Sequence, residues 1–221
     1  MSNGANIRKL KRILKKVKSH AGEFASMSDE NLKGMTDVFK ERYEKGESLD
    51  HMLPEAFAAV CEADKRVLGK FPYDVQILGA IALFKCYMAE MNTGEGKTLT
   101  ATMPLYLNAI TGKSTMLVTT NEYLALRDAE EMGEVYSFMG LSCMAGVKID
   151  SSERFSNEEK KEIYSSDIVY TTHSVLGFDY LLNNLIKSAD ERFMREFNYI
   201  IIDEADSVLL DSAQTPLVIS G

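Results

Sequence analysis

Met91-Asn92-Thr93-Gly94-Glu95-Gly96-Lys97-Thr98 is the stretch that decides the fold of this 221-residue chain. Gly94 and Gly96 allow backbone turns that other residues avoid, and they let backbone N–H groups approach a bound phosphate. Lys97 is expected to contact the β- and γ-phosphates, and Thr98 to ligate Mg²⁺. The stretch therefore predicts a loop that binds ATP or GTP and opens into a helix.

A second motif lies near the end of the chain. Asn198-Tyr199-Ile200-Ile201-Ile202 is a short β-branched run, which predicts a buried parallel strand followed by Asp203 and Glu204. Ligands of open parallel sheets bind at this carboxyl edge, so we expect the two carboxylates to face the loop. Asp203 is expected to hold Mg²⁺, and Glu204 to orient and deprotonate the attacking water. Such a pair also serves as a helix cap, but the loop favours the catalytic interpretation.

The pattern around both motifs alternates between predicted strands and predicted helices. It predicts an α/β P-loop NTPase with a RecA/helicase-like parallel sheet, helices on both faces, and a preceding N-terminal helical segment. We place that segment at 1–68, with Pro54 opening its last helix and Gly69 following it, and the nucleotide-binding domain at 69–221. Helices are predicted at about 28–46, 55–68, 122–138 and 177–186, a loop and helix at 91–110, and a loop with a short helix at 150–162. Strands are predicted at 115–120, 142–147, 167–172 and 199–203.

The charge is uneven along the chain. The net charge is −8, yet residues 1–22 contain seven basic side chains and no acidic one. Apolar residues at helical spacing run through this segment and predict an amphipathic helix at 7–18 with a cationic face. An anionic membrane, an acidic partner domain and nucleic acid are its possible partners, and the acidic remainder of the chain disfavours nucleic acid.

Hydropathy and cysteine usage narrow the class further. No apolar stretch approaches the roughly 18 residues that span a bilayer, and no secretory leader is recognised, so we expect a cytoplasmic protein. Cys61, Cys86 and Cys143 have no CxxC spacing. They predict neither disulfides nor a zinc site, and we expect all three to be buried.

Several further motifs resemble SecA, the bacterial preprotein-translocating ATPase. They are Tyr73-Asp74-Val75-Gln76, Ala89 through Thr100, Thr120-Asn121-Glu122-Tyr123-Leu124-Ala125, Arg127-Asp128, Gly177-Phe178-Asp179-Tyr180-Leu181 and Ile202 through Asp206. The resemblance implies that Gln76 binds the adenine edge, which favours ATP over GTP. It also implies a SecY-type translocation channel and a preprotein as partners, and peripheral association with the inner face of the cell membrane.

The chain differs from the housekeeping SecA pattern at several positions, and the resemblance covers only part of a SecA protein. Lys70, Asn92, Leu182-Asn183 and residues 211–216 differ from the housekeeping pattern, which indicates an accessory SecA of a Gram-positive bacterium. The chain ends where the preprotein-crosslinking domain of SecA would begin. The second motor domain, which would supply an arginine finger, lies beyond it. We therefore expect these 221 residues to bind ATP or ADP with little turnover.

Two other interpretations remain at this stage. Asp203-Glu204-Ala205-Asp206 spells the signature of DEAD-type RNA helicases, but the RNA-contacting elements of that class are replaced by residues 119–123 and 171–174. The other interpretation is a non-catalytic nucleotide-binding module that docks on a membrane or channel through its basic helix.

Overall fold

The computed structural model describes residues 3–92, 94–149, 154–211 and 217–218. The chain folds into two compact units. The first comprises Met1–Thr111 and Glu134–Leu141, and the second comprises Gly112–Gly133 and Ser142–Gly221.

The first unit is helical and is built around one central helix. Its helices are α1 (Asn3–Ser26), α2 (Asp29–Glu44), α3 (Leu49–Leu68), α4 (Asp74–Phe84) and α5 (Lys97–Ala109). Helix α3 packs against α1, α2 and α5. Every residue from Ala56 to Asp64 is buried. A helix that is buried on all sides forms the core of its unit rather than part of its surface.

Serine caps set the start of two of these helices. The Ser28 side chain accepts a hydrogen bond from Asn31 N at the start of α2, as the sequence predicts. The Ser48 side chain accepts one from His51 N, so α3 begins at Leu49, and the prediction that Pro54 opens this helix is wrong. Pro54 lies in the second turn, where it removes one helical hydrogen bond. Gly69 ends α3 with a φ of 67°, in agreement with the sequence.

Helix α1 is amphipathic and is longer than the predicted 7–18. Leu14, Val17 and Phe24 on its apolar side are at most 8% exposed. The helix packs against α3 and α4, and Lys18 forms an ion pair of 2.8 Å with Asp74 of α4. All seven basic side chains of α1 remain exposed. The apolar side of the basic helix is therefore used inside the protein, and its cationic face is accessible.

The end of α4 corrects one prediction about cysteine. Cys86 is exposed, whereas Cys61 is buried and Cys143 is half-buried. Cys86 has a φ of 57°. The N–H of Cys86 donates to Leu83 O, and the N–H of Tyr87 donates to Ala82 O. Cys86 therefore ends the helix in the left-handed conformation usually taken by glycine. The backbone turns at the surface here, and the side chain is exposed as a result.

The second unit contains the sheet. Its strands are β1 (Ser114–Thr119), β2 (Cys143–Ala145), β3 (Ile168–Thr172) and β4 (Phe197–Ile202). They are all parallel, in the order β2-β3-β1-β4. The remaining helices are α6 (Glu122–Phe138), of which the part up to Gly133 belongs to this unit, α7 (Asn157–Ser165) and α8 (His173–Leu185). A 3₁₀ turn lies at Ala189–Glu191 and a π-helical turn at Ser207–Asp211. The predicted α/β class with a parallel sheet is confirmed.

Buried apolar residues and two polar side chains hold the second unit together. Its core contains Met116, Ile163, Tyr164, Val169 and Phe193. Asn183 Oδ1 accepts hydrogen bonds from the backbone N–H groups of Phe193 and Met194 at 2.9 and 3.0 Å. This gives Asn183, which departs from the housekeeping pattern, a structural role. The guanidinium of Arg195 donates to the carbonyls of Tyr164, Ser166 and Gly112.

Helix α8 begins earlier than predicted. It starts at His173 rather than near residue 177, because Thr172 Oγ1 accepts a hydrogen bond from Val175 N and caps the helix directly after β3. Among the described residues, no helix combines the length and the apolarity needed to cross a membrane.

Candidate functional site

The phosphate-loop sequence lies in the first unit, immediately before α5. Gly94 and Gly96 have φ values of 85° and 79°, in the left-handed region that glycine adopts without strain. Glu95 N donates to Asn92 O at 3.2 Å, which closes a tight turn. Thr93 lies outside the described residues. The predicted turn and the helix that follows it are therefore both present.

Gln76 of α4 contacts this loop. Its Nε2 donates to Glu95 O at 2.8 Å, and its Oε1 accepts a hydrogen bond from Tyr73 N at 2.8 Å. A Cβ added at Gly96 would lie 2.2 Å from Gln76 Nε2, so a side chain at position 96 would displace the Gln76 amide, and the φ of 79° independently favours glycine there. An amide has two N–H donors and two acceptor lone pairs, so each end of Gln76 retains capacity for one further hydrogen bond.

Asn92 and Glu95 form a local pair within the loop. Glu95 accepts hydrogen bonds from Asn92 Nδ2 at 3.0 Å and from Asn92 N at 2.8 Å. These bonds, with the side-chain bond as the larger cause, hold the pKa of Glu95 below its usual range. The carboxylate is thus charged, and its bonds to Asn92 fix its position.

Lys97 and Thr98 form the first turn of α5. Both are half-buried, and the helix behind them is buried from Leu99 to Ala109. Thr100 N donates to Gly96 O at 3.0 Å, which is the first hydrogen bond of the helix. The N–H groups of the first turn have no acceptor within the helix, and they carry its positive dipole end. The first turn of α5 therefore has a geometry that suits a bound phosphate.

The acidic pair lies in the second unit, at the carboxyl end of β4. Asp203 N donates to Val118 O at 2.8 Å, which extends the pairing with β1 by one residue beyond the strand. Asp203 Oδ1 accepts a hydrogen bond from Glu204 N at 3.0 Å. Glu204 is exposed and has a φ of 54°, which is unusual for a residue with a side chain.

Glu204 also makes a contact that the sequence does not predict. Its Oε2 accepts a hydrogen bond from Thr120 Oγ1 at 3.0 Å. Thr120 follows β1, and it lines a cavity of about 390 Å³ together with Asn121, Glu122, Tyr123, Leu126, Ile149, Thr172 and Ser174. The sequence motif at 120–125 draws attention to Thr120, but only the sheet order places it beside β4.

The two motifs have oxygen donors that suit a magnesium nucleotide. Mg²⁺ is commonly bound by one or two protein oxygens together with phosphate oxygens, and the Thr98 hydroxyl and Asp203 carboxylate are donors of this kind. Gln76 and the loop come together within the first unit. The acidic pair belongs to the second unit, so a nucleotide site shared by Lys97, Thr98, Asp203 and Glu204 stays a prediction.

Other motif residues have structural partners. Arg127 Nη2 contacts Asp128 Oδ1 at 2.6 Å. Asp179, which is 4% exposed, accepts hydrogen bonds from Lys160 Nζ at 2.6 Å and Tyr164 Oη at 2.7 Å. Burial and the neighbouring Asp179 carboxylate raise the pKa of Tyr164. Asp179 therefore joins α8 to α7 inside the second unit.

Comparison with known proteins agrees with these motifs. A family model described as the SecA DEAD-like domain matches residues 1–221. Proteins named protein translocase subunit SecA 2 from Streptococcus gordonii and Streptococcus sanguinis are each 60% identical over 221 residues, which is 100% of this chain and 28% of theirs. A protein of that name from Streptococcus agalactiae serotype III is 57% identical over 215 residues, 97% of this chain and 27% of that protein. The chain thus spans little more than a quarter of the length of these relatives, and it belongs to the SecA family.

Proposed function

We propose that this chain is the first ATP-binding motor domain of an accessory SecA-type ATPase that drives protein export. The observation that carries the proposal is the loop before α5. Gly94 and Gly96 are left-handed, and a side chain at Gly96 would displace the Gln76 amide that lies against it. A backbone with this shape at a helix N-terminus binds phosphate groups, and the Lys97-Thr98 sequence that follows suits a nucleoside triphosphate.

The residues of the two motifs have different roles in binding and hydrolysing the nucleotide. Thr93, Gly94, Glu95 and Gly96 surround the phosphates with backbone N–H groups, and Lys97 adds a positive charge. Thr98 and Asp203 supply oxygens for Mg²⁺, which when bound neutralises charge on the β- and γ-phosphates. Glu204 orients the attacking water and accepts its proton.

Gln76 gives the site a preference for adenine. The amide retains one N–H and one lone pair beyond its bonds to Glu95 O and Tyr73 N. A donor beside an acceptor matches a ring nitrogen and the exocyclic amine of adenine. Guanine, with a carbonyl oxygen and a ring N–H in the corresponding places, would require the reversed amide, and the bonds to Glu95 O and Tyr73 N oppose that reversal. ATP is therefore favoured over GTP.

The N-terminal helix provides the link to the membrane. Its apolar side packs against α3 and α4, so the contact with an anionic lipid surface is made by the exposed basic face alone. Each Lys or Arg near such a surface contributes about 1 kcal/mol, and salt weakens the attraction. We place the whole protein in the cytoplasm at the inner face of the membrane, with a SecY-type channel and a preprotein as partners and without nucleic acid. Within it, 1–68 form the helical segment and 69–221 the motor domain.

Two substitutions in the full-length protein test this function. Lys97→Ala should abolish ATP binding, because it removes the side chain that contacts the β- and γ-phosphates. Glu204→Gln should keep ATP affinity and lose both turnover and export. A protein that exports normally with Glu204→Gln is a nucleotide-binding module rather than a motor, and stimulation by RNA without a response to preprotein would support a helicase.

The second motor domain is expected to complete the site. The arginine that it would supply typically accounts for roughly 10³ to 10⁵ of the rate in such enzymes. The 221-residue chain alone should therefore bind ATP and hydrolyse it far more slowly than the full-length protein. Brisk Mg²⁺-dependent hydrolysis by the purified chain would contradict this expectation.

A further inference from the structure

We propose that Thr120 is a positioning residue that holds Glu204 in a resting orientation, and that release of this contact frees the carboxylate for hydrolysis. The proposal rests on the proposed function, in which Glu204 acts on the attacking water. It assigns to Thr120 control over how often Glu204 is available, and no part in nucleotide binding.

The first supporting observation is the register of the sheet. Val118 of β1 pairs with Ile202 of β4. Thr120 and Glu204 each lie two residues further along, just past the ends of β1 and β4, and these adjacent strand ends bring them together although they are 84 residues apart in sequence. The Thr120 hydroxyl donates to Glu204 Oε2 at 3.0 Å. The contact therefore follows from the pairing of β1 with β4 and is built into the sheet edge.

The second observation is the backbone of Glu204. Its φ of 54° is left-handed, which is energetically unfavourable for a residue with a Cβ, and such a conformation persists only where contacts hold it. Three hydrogen bonds do so: Thr120 Oγ1 donates to the side chain, Glu204 N donates to Asp203 Oδ1, and Val208 N donates to Glu204 O at 3.1 Å. The side chain is exposed, so loss of the Thr120 contact gives it access to other rotamers.

The third observation is access to the contact. Thr120 is half-buried and lines the cavity of about 390 Å³ at the end of β1 and β3. Asn121 and Ser174 also line this cavity. The Thr120 side chain therefore has open space beside it, so it can rotate and break the hydrogen bond to Glu204 without separation of the strands, which is what a reversible restraint requires.

One hydrogen bond sets the size of the effect. The net contribution of a typical hydrogen bond corresponds to about a 2- to 12-fold change in an equilibrium between two orientations. If the resting orientation predominates, removal of the Thr120 hydroxyl raises the population of free carboxylate, and with it the hydrolysis rate, by the same factor.

The test is steady-state ATP hydrolysis by the full-length protein without preprotein. Thr120→Val removes the hydroxyl at nearly constant volume and should raise kcat about 2- to 12-fold, with the dissociation constant for ATP unchanged. Thr120→Ser keeps the hydroxyl and should retain the wild-type kcat. Thr119→Val is the matched control, because the hydroxyl of Thr119 has no hydrogen-bond partner among the described residues. It should leave kcat unchanged.

Two results would overturn the proposal: an unchanged or lower kcat in Thr120→Val, or a serine variant that behaves like the valine variant. A merely structural role would lower the melting temperature without raising kcat. Glu204→Gln, made in the wild-type and Thr120→Val backgrounds, separates this inference from the proposed function. If both proteins keep hydrolysing ATP, Glu204 is not the base and the proposed function fails. If Glu204→Gln abolishes hydrolysis while Thr120→Val has no effect, only the restraint fails.

Discussion

Gly96→Ala is the substitution for which the structure gives the clearest expected effect. The φ of Gly96 is 79°, and a Cβ there would lie 2.2 Å from Gln76 Nε2. An alanine therefore strains the backbone and displaces the amide of Gln76. That amide donates to Glu95 O, so the hydrogen bond that joins α4 to the loop breaks as well.

The size of the effect follows from these two contributions. A left-handed conformation costs a residue with a Cβ roughly 1–2 kcal/mol. Loss of the Gln76 to Glu95 hydrogen bond adds about 1 kcal/mol. The sum of about 2–3 kcal/mol weakens ATP binding roughly 30- to 160-fold, provided that the nucleotide requires the present loop conformation.

Gly94→Ala provides a matched control in the same loop. Gly94 has a φ of 85°, but no atom lies within 4 Å of an added Cβ. Only the backbone contribution applies, so ATP binding should weaken about 5- to 30-fold. Calorimetric titration of the full-length variants with ATP measures both losses, and thermal unfolding shows whether each variant retains its fold.

The double variant Gln76→Ala/Gly96→Ala isolates the steric contact. Without the amide, the added methyl group meets no obstacle, and Gly96→Ala should then weaken binding by no more than Gly94→Ala does. The reasoning is refuted if Gly96→Ala binds ATP within threefold of wild type, or if its cost is the same with and without the Gln76 side chain.

Three further predictions concern buried polar groups. Both carboxylate oxygens of Asp64 are buried without a partner among the described residues, and burial raises its pKa well above the usual range. Its contribution to stability is therefore fully present only below the unfolded pKa of about 3.9 and is lost as pH rises towards the folded value. Asp64→Asn should stabilise the protein at pH 8 and much less at pH 4, and equal shifts in melting temperature at both pH values would contradict this. Tyr106→Phe breaks the buried 2.7 Å hydrogen bond to Thr36 and should cost about 1–3 kcal/mol in urea unfolding, with part of the loss recovered in Thr36→Val/Tyr106→Phe. Asp179→Ala leaves the Lys160 ammonium, whose side chain is only 12% exposed, without its carboxylate and should cost about 3–5 kcal/mol, whereas Lys160→Met/Asp179→Leu should cost less in the same assay.

Local chemistry made much of the fold predictable. The spacing of glycines at 94 and 96 predicted left-handed turns and a helix behind them, because few residues other than glycine adopt that conformation. The apolar β-branched runs at 115–120 and 167–172 predicted buried parallel strands, and both are central in the sheet. These features depend on the residues themselves rather than on distant parts of the chain.

Features that depend on neighbouring residues in space were less accessible. A serine cap at Ser48 overrides the signal of Pro54 at the start of α3, and Cys86 occupies a position where glycine is usual. The contact of Thr120 with Glu204 requires β1 to lie beside β4, and sheet order is not encoded in the local pattern. The family prediction is confirmed by the comparisons, because the motifs that carry it are local stretches of sequence.

The central claim is that the loop at 91–98 and the acidic pair hold one metal nucleotide between them. Its most direct test is a double-mutant cycle on Mg²⁺-ATP affinity in the full-length protein, with Thr98→Val and Asp203→Asn alone and combined. If the Thr98 hydroxyl and the Asp203 carboxylate bind the same ion, the double variant should have nearly the same Mg²⁺-ATP affinity as the single variant with the larger loss. Losses that simply add, each independent of the other residue, would contradict the account.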